Sequence, residues 1–132
     1  MRLHELSREQ QRAFLILARQ VVTADDRLAL QEVERLDLLG REMGLSDLPA
    51  DAPDAVADAN YLFETPKART LALLNLLLVA LADGALDERE YAVVRRVAAA
   101  FPVAEDEWMW MVDWARRYAA LQGEAESFWE TH

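Results

Sequence analysis

Cysteine is absent from this 132-residue chain, which removes thiolate nucleophiles, disulfides, iron–sulfur clusters and zinc–thiolate sites together. A chain without thiols also fits a reducing cytoplasm. Histidine is confined to His4 and His132, near the two ends. A catalytic triad or a histidine-rich transition-metal site is therefore hard to assemble. Lysine occurs once, at Lys67, against thirteen arginines, a bias we read as genomic rather than chemical. β-Branched residues are sparse and polar–apolar alternation is lacking, which argues against sheet. There is no phosphate-binding glycine loop. The polar, charged start shows no signal-peptide pattern. The longest apolar run, Leu71 to Ala82, is interrupted by Asn75 and is too short to span a bilayer. The expectation is a soluble, cytoplasmic protein with no direct membrane insertion.

What is abundant is acid. The net charge is −10 with a pI near 4.6, and the carboxylates are spread along the chain. Such a surface repels phosphate, so no nucleic acid or anionic lipid partner is expected, whereas cations and basic partners are attracted. Any metal would be held by oxygen, which favours calcium or magnesium. Apolar residues make up 53% of the chain, enough for one domain over residues 1–132 with a real core.

The apolar spacing is helical nearly throughout, and predicts an all-α, single-domain helical bundle of about six or seven helices. Ser7-Arg8-Glu9-Gln10 can form a capping box opening a helix to about Thr23. A second helix, about Leu28 to Met43, turns Val33, Leu36, Leu39, Gly40 and Met43 inward, and Gly44 ends it. A linker with two prolines follows, then a short helix after Pro53 through Ala57 to Tyr61. Thr65-Pro66 is a strong start signal for a helix to about Ala82. That helix is apolar almost all round and belongs at the centre. Another runs from Asp87 to Phe101, stopped by Pro102, and a last one from Glu105 to about Leu121. Gly123 then leads into a mixed tail, 123–132.

Shifting the chain by 58 residues lays Asp25 on Asp83, Leu28 on Leu86 and Glu32 on Glu90. Leu36, Leu39 and Met43 fall on Val94, Val97 and Phe101, so two helical hairpins, about 14–43 and about 72–101, repeat each other. The pattern is an apolar helix, then Ala-Asp-Gly-x-Leu-acid-x-x-Glu, then an apolar helix. In the form "VALADGALDEREYAVV" it resembles the TerB-like family of tellurite-resistance proteins, relatives of the domain preceding the J-domain in membrane-anchored DnaJ-like co-chaperones. The resemblance covers roughly Phe14 to Phe101. The first copy departs from it, with Asp26 where glycine is expected and Ala29 where the acid would sit. The resemblance implies an all-helical two-hairpin fold, no known catalytic activity and a divalent cation site at the acidic turns. It also implies association with other stress-response components, some of them at the inner membrane.

Two readings of the acidic turn stay open. As a metal loop, Asp83, Asp87 and Glu90 are the best ligands, with Asp25, Asp26 and Glu32 completing the site or forming a second. An EF-hand is excluded, because its first ligand positions would fall on Val79 and Leu81. As plain turn chemistry, Gly84 ends one helix, Asp87 caps the next, and Glu90 is its capping-box partner. The first hairpin keeps Asp25 and Glu32 without the cap, which capping alone does not explain.

The stretch "EDEWMWMVDWARRY" holds three of the four tryptophans. On a helix, Trp108, Met111, Val112, Ala115 and Tyr118 share one face, and Trp110, Trp114 and Leu121 another. The second stripe either packs against the tail of Phe128 and Trp129 or meets a protein partner or a second copy through Trp110 and Trp114. Asn75 reads as a hydrogen-bonded buried amide, and Arg95-Arg96 and Arg116-Arg117 as surface charges paired with nearby acids. Nothing points to catalysis. The leading expectation is a non-enzymatic interaction or scaffold domain tuned by a cation. The alternatives are a small metal-dependent hydrolase using the same carboxylates and a purely structural oligomerisation module.

Overall fold

The computed structural model describes residues 2–24, 30–45, 52, 54–81 and 87–131, with the side chains of 30–33 and 131 outside the description. Among these the chain is all-helical. A single 3-10 turn, Leu3–Glu5, precedes α1 (Arg8–Val22), α2 (Leu30–Glu42), α3 (Ala55–Leu62), α4 (Pro66–Ala80), α5 (Glu88–Ala100) and α6 (Glu105–Thr131).

Local chemistry sets the starts. Ser7 accepts from the Gln10 backbone N–H while Gln10 answers at the Ser7 N–H, a complete capping box. Thr65 accepts from the Ala68 N–H, with Pro66 at the first helical position. Gly44, at φ +73°, lets the chain leave α2 in the left-handed region that other residues resist. The Leu45 N–H then returns to the Gly40 carbonyl at 2.8 Å.

The repeat is visible in these boundaries. α1 and α4 begin at 8 and 66 and end at 22 and 80; α2 and α5 begin at 30 and 88 and end at 42 and 100. Thr23 and Leu81, closing α1 and α4, share φ −97° and ψ 3°. Burial follows the same shift: Leu15 with Leu73, Ala18 with Leu76, Leu36 with Val94 and Met43 with Phe101 are all buried. Among the described pairs with both members buried, chemistry differs at Leu17 and Asn75. The Asn75 amide donates to the Leu71 carbonyl at 2.8 Å, so the polar residue sits in the core at the cost of one local bond rather than an orphaned group.

α4 is buried on every side but its first turn, and packs on α1, α5 and α6. α1 also carries α2, α3 and α5. Side chains tie the flanks to this centre: the Arg8 guanidinium donates to the Met43 carbonyl at the end of α2. Gln10 reaches the Leu62 carbonyl at 3.0 Å and Gln20 the Ala52 carbonyl at 2.9 Å.

The C-terminal helix differs from expectation. It does not end near Leu121 with a tail folding back; it runs through Gly123 to Thr131. One glycine costs a helix about 1 kcal/mol, and the flanking Leu121-Gln122 and Glu124-Ala125-Glu126 are good helix formers that outweigh it. Trp110 and Trp114, one turn apart on the helix, differ in burial. Trp110 is 55% exposed, while Trp114 is half-buried against the core with its ring 5.3 Å from Tyr118. The expected core face holds for Trp108, Met111, Val112 and Ala115, all buried, while Tyr118 is only half-buried and outside the core.

Candidate functional site at the acidic turns

Of the six expected ligands, Asp25, Asp26 and Asp83 lie outside the described residues, as does the side chain of Glu32, whose backbone belongs to α2. Asp87 and Glu90 are described, and they behave differently. Asp87 is the N-cap of α5. Its Oδ1 accepts from the Arg89 N–H at 2.8 Å and the Glu90 N–H at 3.2 Å. These satisfy two of the donors every helix start leaves over, and the negative charge sits at the positive end of the helix macrodipole. The cap therefore exists whether or not a metal binds. One lone pair set of Asp87 is committed to it; Oδ2 has no role in the cap.

Glu90, three residues on, is buried, at 8% exposure. A carboxylate withdrawn from water this far needs hydrogen bonds, a countercharge or a proton to offset its desolvation. Capping does not require that burial, since a capping-box glutamate works equally well in solvent. Its neighbour Tyr91 connects this turn to α6, because the Tyr91 hydroxyl accepts from the Trp108 indole N–H at 2.9 Å with the rings 5.7 Å apart. Trp108 itself is fully enclosed, at 1% exposure, and lies under the Arg95 guanidinium, 5.4 Å from its ring centre. Arg95 in turn pairs with Glu105.

Beside the turn lies a groove of ≈ 480 Å³ that the sequence did not suggest. Its walls are Gln20, Thr23 and Ala24 at the end of α1 and Arg89, Ala92, Val93 and Arg96 on α5. The residues just before Asp25 and just after Asp87 thus border one space, although their repeat units are far apart in the chain. The only sequence signal was the seven-residue spacing of Arg89 and Arg96, which places both on one face of α5. Two guanidinium groups, of Arg89 and Arg96, make the groove itself unsuited to a cation. Among the described residues no three acidic or histidine side chains converge on a point, and no helix is long and apolar enough to cross a membrane.

Comparison with protein families gives a match. The family model described as tellurite resistance protein TerB matches residues 46–111, half of the chain. The matched span contains α3, α4, α5 and the start of α6 with the second acidic turn, whereas the first hairpin lies outside it, short of the Phe14 start expected from the repeat. No curated protein matches the chain, and no solved structure does.

Proposed function

Because the chain belongs to the TerB family of tellurite-resistance proteins, we propose that it is a non-enzymatic interaction domain of a cytoplasmic stress response that takes up calcium or magnesium at its acidic turns. The observation that carries the reading is the burial of Glu90 in the first turn of α5. A capped turn needs Asp87 but does not require Glu90 to be buried, and a carboxylate held one turn from Asp87 is a ligand type suited to an oxygen-bound cation. In this reading Asp83, Asp87 through Oδ2, and Glu90 hold the ion, with Asp25, Asp26 and Glu32 contributing from the first repeat. Few protein oxygens from one short turn leave positions to water, so affinity is modest. A role for the chain's own thiols in trapping or reducing tellurite is excluded, because there are none.

Trp108 supplies the readout, since its indole is bonded to the residue after Glu90. Chelator-stripped protein is titrated with calcium and then magnesium, following heat and tryptophan emission, beside the Asp83→Asn/Glu90→Gln variant. Saturable binding that the double variant lacks supports the reading. Silence at millimolar metal sinks it and leaves the turn as a cap.

A further inference from the structure

The 27 residues of α6 span about 40 Å at the usual helical rise, and only the first half rests on the bundle. Its last fully enclosed side chain is Ala115, and Ala119 still touches the core. From 120 to 130 every residue is exposed except half-buried Ala125. A projecting helix of this kind is marginal alone, and in soluble form it should be polar all round. This one is not. Trp114, Tyr118, Leu121, Ala125 and Phe128 follow one another at alternating spacings of four and three, the seam of a coiled coil. Leu121 is 64% exposed, Phe128 67%, and Trp129, on the flank of the seam, 62%.

We propose that this seam pairs with the same seam of a second copy, the two arms running antiparallel. Charge along the arm selects that occupant. Its base carries Arg116 and Arg117, the latter paired with Asp113 at 3.1 Å on its own helix but leaving the base net positive, and its tip carries Glu124, Glu126 and Glu130 with no cation among them. Turned end to end, the basic base of one arm faces the acidic tip of the other on both sides of the pair. In the register that sets Leu121 of one copy against Tyr118 of the other, and Trp114 against Ala125, Arg117 of each copy meets Glu124 of its mate at the edge of the seam. Parallel arms would instead crowd all six glutamates together and bring two acidic bundles side by side. Opposite charges at the edges set orientation more than strength, and the burial of Leu121 and Phe128 supplies the affinity. With a short seam and a net charge of −10 on each chain, the dimer is a weak one that forms with rising concentration.

Sedimentation equilibrium in chelator tests this independently of any cation site. The expected result is a mass rising from one chain to two. Leu121→Glu raises the dissociation constant at least about tenfold. Arg117→Glu and Glu124→Arg each weaken the pair, and the two together restore it, a recovery that only the antiparallel register predicts. Gly123→Ala tightens the dimer by stiffening the arm, since Gly123 faces away from the seam and an added methyl there meets nothing within 4 Å. All these positions are exposed, so folding is checked simply by helical circular dichroism. A wild-type chain monomeric at millimolar concentration, an unaffected Leu121→Glu dimer, or no recovery in the double charge swap overturns the proposal.

Discussion

Replacing Asp87 by alanine and by serine separates the cap from the charge. Asp87 Oδ1 takes two backbone N–H groups, at 2.8 and 3.2 Å. Alanine leaves both to water, and loss of an N-cap acceptor costs about 1 kcal/mol, within a range of roughly 0.5–2. Removing a negative charge from a partly exposed helix start adds about 0.3–1 kcal/mol. The first turn of α5 is held from behind by buried Val93 and Val94, so the damage stays local and the sum for Asp87→Ala is about 1–2 kcal/mol. Serine keeps an acceptor of suitable reach and loses only the charge, so Asp87→Ser costs a few tenths to about 1 kcal/mol. For a chain of this length 1 kcal/mol moves the melting temperature by roughly 3–6 °C, resolvable by far-UV circular dichroism in chelator. Equal losses for serine and alanine would mean that charge, not hydrogen bonding, is what Asp87 contributes. No loss for alanine would refute the capping geometry outright. Repeating the melts with calcium extends the test: a bound ion stabilises by RT ln(1 + [L]/Kd). If Asp87 serves only as a cap, wild type and both variants gain the same increment. If it also holds metal, both variants gain less.

Gly44→Ala should destabilise by about 1–2 kcal/mol in a urea titration, because φ +73° is unfavourable for any residue with a Cβ. Space is not the cause, since the added carbon would sit 3.5 Å from Arg8 Nη1, and Gly44→Asn should recover part of the loss; an unaffected alanine variant refutes the backbone argument. Glu5 accepts from Lys67 Nζ at 2.7 Å, and this bond, followed by the nearby positive charges of Lys67, Arg2 and His4, holds its carboxyl below the usual value despite slight desolvation. A depressed folded value means stability present above the unfolded value and lost as pH falls through the folded one. Carboxyl NMR titration should show the Glu5 midpoint rise in Lys67→Gln. The stability difference between that variant and wild type should disappear in acid; a midpoint that does not move refutes the pairing.

Which parts of this molecule a reader could take from the sequence depends on the range of the forces involved. Ser7, Thr65-Pro66, Gly44 and Asp87 marked helix ends because caps join residues two to four apart. The 58-residue repeat was legible because equivalent core positions, such as Leu36 and Val94, keep their phase on the helix. The exposed Trp110 and half-buried Trp114 were not separable, since adjacent turns of one helix differ in burial only through what lies opposite. Gly123 misled because a local penalty of about 1 kcal/mol was weighed without its helix-forming neighbours.

The sequence by itself determined the helices, their order, their repeat and the family, all consequences of short-range hydrogen bonding and apolar period. Only the tertiary structure decided that Glu90 is buried while Asp87 is half-buried, that the end of α1 and the start of α5 wall one groove, and that half of α6 leaves the bundle. Each of those depends on which distant helix occupies the space beside a side chain. Burial of a charge, unlike a cap, is a property of neighbours that the chain brings together only on folding.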